Sequence, residues 1–254
     1  LTLAAVFYGL PSARWAKGLR REDMLVTDLG RMAFDDAWKI QEQAVAERLA
    51  GGPDRLFLVE HDPVVTLGRH GGRENLLVSP ESLAARGVTL AQASRGGNIT
   101  CHFPGQVVAY PIFKIKPGRG GLRGLFADLE AVVIAVLAGY GVVGERVAGR
   151  PGVFVSGRKI ASIGLAVRRS VTAHGLALNV GRDLGVFSLV TPCGLQDVAP
   201  TSLVREMPAE AAVKHPTEEH LLGDVKRTLV AAFEDVFGQK AVLAAPAPAP
   251  GTGL

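Results

Sequence analysis

Cysteine is scarce: the 254 residues hold two, Cys101 and Cys193, with no Cys-x-x-Cys pair. That argues against a disulfide framework and favours a reducing, cytoplasmic setting. Aromatic residues make up 6% of the chain, and no basic cluster is interleaved with them, so nucleic acid is not an expected partner. No apolar run approaches the ~20 residues of a membrane span, so no membrane partner is expected either. The longest run, residues 131–138, follows Asp128 and Glu130 and suits a buried helix. There is no His-Glu-x-x-His, and no ligand pair at helical spacing is found, so no metal is expected. Internal repeats are absent. Acid is missing from residues 1–21, which carry Arg14, Lys17, Arg20 and Arg21. Serine is scarce there and no cleavage signal stands out, so this stretch reads as an N-terminal extension without a fold of its own rather than a transit peptide.

What is present describes a globular enzyme, with 48% hydrophobic and 20% charged residues. The formal charge of +4 favours an acidic partner. Residues 22–240 are read as one catalytic domain, and residues 241–254, rich in Pro and Ala, as a tail that builds no core.

Apolar positions Ala37, Ile40, Gln41, Ala44, Val45 and Leu49 recur at helical spacing over residues 33–50, and Gly51-Gly-Pro53 stops the helix. Strands are expected at 55–60, 64–67, 88–92, 106–113 and 173–180. Ser79-Pro80 opens a short helix to Arg86. Residues 95–105 are expected to be irregular, and 116–121 a glycine-rich break. A strong helix follows over 125–140, then three extended stretches at 142–147, 153–155 and 159–168, with Gly157-Arg158 as the tight turn between the last two. Residues 217–237 form a C-terminal amphipathic helix. Helices interspersed with hairpin-like strand pairs favour an α+β, mixed-sheet domain over a doubly wound parallel one.

Two residues stand out as chemistry. Cys193, between Pro192 and Gly194, sits where the backbone must turn, which can present a thiol as nucleophile; a small buried hydrophobe is the ordinary alternative. Lys159 starts an apolar strand; it is either a surface charge or a buried amine able to accept a proton near neutrality. His102 and His174 compete with it as base. Arg95-Gly-Gly97 offers backbone N–H groups and a guanidinium to an oxyanion or phosphate. Cys101, beside His102, reads as structural.

Five motifs occur in one order: Glu60-His-Asp-Pro-Val-Val-Thr-Leu-Gly68; Arg95-Gly-Gly-Asn-Ile-Thr-Cys-His102 with Pro104-Gly-Gln106; Gly157-Arg-Lys-Ile-Ala-Ser-Ile-Gly164; His174-Gly-Leu-Ala-Leu-Asn-Val180; and Pro192-Cys-Gly194. Together they resemble the lipoate–protein ligase B family, the octanoyl-acyl carrier protein:protein octanoyltransferases. The resemblance implies the mixed-sheet α/β fold of biotin/lipoate ligase catalytic domains. It places an acyl-thioester cysteine on Cys193 and a lysine that lowers that thiol's pKa on Lys159. It places substrate contacts on Arg95, Gly96, Gly97, Asn98, Ile99, Thr100, Cys101 and His102, on Ser162, Ile163 and Gly164, and on His174, Gly175, Leu176 and Ala177. The implied donor is octanoyl-acyl carrier protein, with the acyl group on its phosphopantetheine and no further cofactor. The implied acceptor is a lysine of a lipoyl domain, in 2-oxoacid dehydrogenase complexes or the glycine cleavage H protein.

The family has His-Gly-Pro-Gly where this chain has His102-Phe103-Pro-Gly105. A positive φ there makes phenylalanine costly; otherwise the ring fills space beside the substrate segment. Val64, Leu67 and Ile163 are the expected acyl-tunnel residues. Three rival readings remain: an ATP-dependent lipoate or biotin ligase, a cysteine thioesterase or hydrolase, and a non-catalytic binding module.

Overall fold

The computed structural model describes residues 23–115, 120–191 and 198–244. These form an eight-stranded mixed sheet and a separate three-stranded sheet. In the large sheet β1 (Met24–Met32) pairs parallel with β2 (Asp54–His61) and β11 (Ala241–Leu243). Antiparallel pairing carries it on through β6 (Gln106–Ile112), β10 (Val171–Asn179), β9 (Arg158–Arg168), β8 (Arg150–Val155) and β7 (Glu145–Val147). The mixed sheet matches the expected architecture.

Strand periodicity sets the two faces. Leu56, Leu58, Val107 and Ala109 pack with α3 (Gly121–Gly139) and α6 (Glu218–Phe237). The intervening Phe57, Val59, Val108 and Tyr110 pack with α1 (Phe34–Leu49). The small sheet of β3 (Val64–Leu67), β4 (Thr89–Gln92) and β5 (Ile99–His102) closes a third cluster with Leu83 of α2 (Pro80–Ala85) and with Phe187 and Leu189 of a 3-10 turn. Two one-turn helices, α4 (Leu203–Glu206) and α5 (Ala209–Ala212), lead into α6. Among the described residues no helix is long and apolar enough to cross a membrane.

The caps behave as their sequences dictate. Ser79 Oγ accepts from the Ser82 N–H with Pro80 at the first helical position, and Thr217 accepts from the His220 N–H. Elsewhere the structure corrects the sequence reading. The β8–β9 turn is Ser156-Gly157, not Gly157-Arg158: φ is 47° and 77° at these two residues, and Val155 pairs with Arg158. Two positive φ values in a two-residue loop suit the twist of the flanking strands. Residues 99–102, expected to be irregular, form β5 antiparallel to β3. β1 and β11 were not foreseen as strands. The N-terminal stretch 1–21 and the segment 192–197, which contains Cys193, lie outside the described residues.

Candidate active site

Where β9, β10 and the loop before β5 meet, the sheet holds a cavity of about 310 Å³. It is lined by Arg95, Gly96, Gly97, Asn98, Ile99, Thr100 and His102, by Lys159, Ser162, Ile163 and Gly164, and by His174, Gly175, Leu176 and Ala177. Three stretches far apart in sequence are thus one wall, because β9 and β10 run antiparallel with Ser162 opposite Ala177 and Gly164 opposite Gly175.

Cys101 is the exception among the expected contacts. Alternation along β5 turns its buried side chain into the cluster with Val65, Leu83 and Phe103. Phe103 goes the same way: it is buried edge-on against Phe187 at 5.5 Å between ring centroids and is not among the residues with positive φ. The ring therefore neither strains the backbone nor fills the cavity. Of the expected tunnel residues only Ile163 lines it; Val64 packs with Phe34, and Leu67 lies in the small-sheet cluster.

The backbone is most unusual at His174, with φ at 57° in the middle of a strand. The register that pairs Leu176 with Ala109 puts Pro111 opposite His174. A proline cannot donate to the ladder. The freed groups find other partners: Thr172 Oγ1 donates to Pro111 O at 2.5 Å, and the His174 N–H donates to Gln41 Oε1 of α1 at 2.8 Å. The His174 ring stacks on Trp38 at 4.5 Å, and its Nε2 lies 3.0 Å from Ser94 Oγ. Gly175 is required at its position, since a Cβ there would sit 2.1 Å from Ala109 O.

Three buried imidazoles gather beneath this wall. His61 Nε2 meets the Tyr110 hydroxyl at 2.7 Å, and His102 Nδ1 meets Gln106 Oε1 at 2.7 Å. Gln106 Nε2 donates to Cys101 O and Asn179 Oδ1, so its oxygen faces His102, and the proton resides on Nδ1. Burial lowers His61 to about 4 and His174 to about 3, the latter aided by the nearby Arg95 charge. Burial, then the neighbouring His61, holds His102 well below its ordinary value. Rings this hard to protonate are neutral near pH 7, with His102 hydrogen-bonded to Gln106 and His174 to Ser94.

A pH dependence of stability follows. Unfolded imidazoles titrate near about 6.5. Between that value and about 3 to 4 the unfolded chain binds more protons than the folded one, so stability is full above pH 6.5 and is lost as pH falls. At about 1.4 kcal/mol per unit, the loss amounts to several kcal/mol by pH 4. Urea midpoints followed by Trp38 fluorescence are expected to hold above pH 7 and to drop steeply below 6. A midpoint flat down to pH 4.5 contradicts three buried neutral rings.

The Arg95 guanidinium is turned to the scaffold. Its Nη1 donates to Asn98 O and its Nη2 to Thr66 O, each at 2.8 Å, which folds residues 95–98 against residues 68–70. Lys159 is buried, with Nζ 5.6 Å from the centre of the Phe154 ring. Gly152 makes room for its stem, because a Cβ there would lie 2.9 Å from Lys159 Cε.

The two ends of the Cys193 segment are tied to cavity-lining residues. On one side Thr191 N donates to Asn75 O at 2.8 Å, and Asn75 Nδ2 donates to Asn98 Oδ1 at 2.9 Å. On the other, Lys159 N donates to Ala199 O and Thr201 N to Lys159 O, both at 2.9 Å.

Sequence reasoning missed His70, Val108, Tyr110 and residues 149–151 in the cavity wall, and Trp38 and Gln41 behind it. Helical spacing had marked Gln41 as inward-facing, and that was its only signal.

Residues 34–234 match the family model described as the lipoyl protein ligase A/B catalytic domain. A relative from Nitratidesulfovibrio vulgaris strain DP4, named octanoyltransferase, is 51% identical over 221 residues, covering 87% of this chain and 98% of its own. Another of that name from Chloroflexus aurantiacus strain J-10-fl is 46% identical over 213 residues, covering 82% and 92%. Among solved structures, lipoate-protein ligase A bound with ATP superposes with a TM-score of 0.66 at 14% identity, covering 88% of this chain and 90% of that one. A bi-partite lipoate protein ligase from Thermoplasma acidophilum, studied with its E2 lipoyl domain, gives 0.61 at 14% identity, covering 88% and 87%. At such identity these two establish the fold alone. The family match and the relatives at about half identity establish more: the chain belongs to the lipoyl protein ligase A/B catalytic-domain family, among its octanoyltransferases, and is an acyltransferase.

Proposed function

We propose that this acyltransferase moves an octanoyl group from acyl carrier protein to a lysine of a lipoyl domain through a thioester on Cys193. Lys159 takes the Cys193 proton. The thiolate attacks the carrier's thioester carbonyl; a new carbon–sulfur bond forms as the bond to the phosphopantetheine sulfur breaks, and that thiol leaves with a proton. The neutral ε-amine of the acceptor lysine then attacks the acyl-cysteine. An amide forms, and the Cys193 thiol is restored. One thioester replaces another in the first step and an amide replaces a thioester in the second, so neither step needs ATP.

The observation that carries this reading is the tethering of the Cys193 segment. Its far flank is hydrogen-bonded to the main chain of Lys159, whose buried side chain lines the cavity, and its near flank reaches Asn98 through Asn75. The apolar part of the wall, with Val108, Ile163, Leu176 and Ala177, suits an acyl chain. Burying about six methylenes at ~0.8 kcal/mol each contributes on the order of 5 kcal/mol, enough for chain length to matter. The relatives' name supports octanoyl as the group moved, and the lipoyl domain studied with the archaeal ligase supports the acceptor class.

The ATP-bound ligase neighbour makes nucleotide dependence the rival to exclude. The chain is to be incubated with octanoyl-acyl carrier protein and a purified lipoyl domain without nucleotide, and the lipoyl domain followed by intact mass. One octanoyl group on its lysine is the expected outcome. A strict need for ATP overturns the reading, and release of free octanoate with no domain modified favours a thioesterase.

A further inference from the structure

A second group of converging side chains lies far from the cavity in sequence, where the segment after α5 meets α6. His215 follows α5 with its ring against Tyr140 at the end of α3, 5.5 Å between centroids. His220 and Asp224 stand on successive turns of α6. His215 Nδ1 is 2.8 Å from Asp224 Oδ2, and His220 Nδ1 is 3.3 Å from the same oxygen. One ligand atom from each residue lies within 4.8 Å of the other two. The sequence reading found no ligand pair at helical spacing. His220 and Asp224, four residues apart on α6, are one, and their third partner sits on a preceding loop, where periodicity is silent.

The His215–Asp224 contact is close but is not a hydrogen bond: Nδ1 of His215 is buried and lacks the alignment to donate. A ring nitrogen and a carboxylate oxygen held this near each other without a hydrogen bond suit neighbouring positions in a coordination shell. Zinc–nitrogen bonds of about 2.0–2.1 Å place neighbouring ligands of a tetrahedron roughly 3.3 Å apart, which the His220–Asp224 separation of 3.3 Å matches, while the His215–Asp224 separation of 2.8 Å would open slightly around an ion. We propose that His215, His220 and Asp224 bind a divalent transition ion of the Zn²⁺ class, with solvent completing the shell.

The donor set selects the ion. Two imidazoles and a single carboxylate oxygen suit Zn²⁺ or Ni²⁺ and are poor ligands for Mg²⁺ or Ca²⁺, which need oxygen. Charges nearby work both ways. Lys214 and Arg227 border, with His215 and Asp224, a cavity of about 280 Å³. The Arg227 guanidinium pairs with Asp224 Oδ1, which leaves Oδ2 to face the two rings. The positive end of the α6 dipole also opposes a cation, and Glu218 and Glu219 in its first turn offset it. Bound there, the ion would staple the loop after α5 to α6 beside α3. That is a structural brace apart from acyl transfer, and it stands whether or not the Cys193 reading holds.

The test uses the full chain, titrated with ZnCl₂ in a calorimeter and melted with and without the metal, with MgCl₂ as control. Because cysteines elsewhere also take Zn²⁺, the comparison with His220→Ala and Asp224→Asn is decisive. The expected result is one Zn²⁺ equivalent present in the parent and lost, or weakened at least about tenfold, in both variants. At a hundredfold excess over the Kd, the parent's Tm rises by about 5–10 °C and the variants' does not. Metal-free melting controls for folding, and His220 is half exposed, so its truncation is tolerated. Equal Zn²⁺ binding by parent and both variants overturns the proposal, as does a Tm rise of the same size with Mg²⁺.

Discussion

After incubation with octanoyl-acyl carrier protein, the chain is expected to gain the mass of one octanoyl group, and the Cys193→Ser chain to gain none. A thiol is a few per cent thiolate near neutrality and strongly nucleophilic, whereas a serine hydroxyl without a strong base hardly attacks a thioester. The acyl-enzyme and all downstream transfer therefore fall together to background in the variant. The second thiol supplies the control. Cys101 is buried in the small-sheet cluster, and its side chain faces away from the cavity. Cys101→Val keeps that packing and should keep the adduct. An adduct that survives Cys193→Ser and disappears in Cys101→Val would mean that the wrong cysteine has been assigned, whatever the relatives are named.

Removing Lys159 is expected to have the next largest effect. Proton transfer by a positioned side chain contributes typically about 10²–10⁴-fold, so Lys159→Ala should slow Cys193 acylation by that range at pH 7. A purely structural role for this buried residue predicts a different pH profile. If Lys159 serves to take the thiol's proton, the deficit shrinks as pH rises past the ordinary thiol value of about 8.5, where hydroxide does the same. If the substitution only disturbs β9, the deficit is independent of pH. Burst kinetics of acylation between pH 6.5 and 9.5 separate the two, and a constant deficit would sink the assigned role.

Elements whose signal is local were legible in the sequence. The long helices announced themselves through periodicity, and the short α2 through its cap at Ser79 and Pro80. Buried strands such as β2 and β6 showed as apolar runs. What failed was decided by partners distant in the chain. β5 holds only Ile99, Thr100, Cys101 and His102, and it is a strand because β3 lies beside it. β11 is three residues paired with β1, which begins more than two hundred residues earlier. The family motifs named most of the cavity-lining residues, yet they carry no direction: Cys101 lies inside the right motif, and its side chain turns away from the cavity. Phe103 shows the same limit, since whether a ring enters a cavity or a core depends on Phe187, 84 residues on. Gln41 and Trp38, which hold His174, read as ordinary helix positions because their role exists only once α1 lies on the sheet.

The proline opposite His174 also bears on how the sheet finds its alignment. In an antiparallel ladder the strands can slide by two residues and still present the same faces, so a slip of that size is the misfold that hydrophobic patterning does not exclude. Here such a slip sets Pro111, which has no N–H, against Thr172 or Leu176, whose carbonyls then lack a donor. It also sets the left-handed backbone of His174 against residues that expect a regular partner. Each buried group left unpaired costs about 1–3 kcal/mol. The left-handed residue within β10 is therefore a register lock between β10 and β6, and the wall of the cavity and the correct assembly of the central sheet depend on the same two residues.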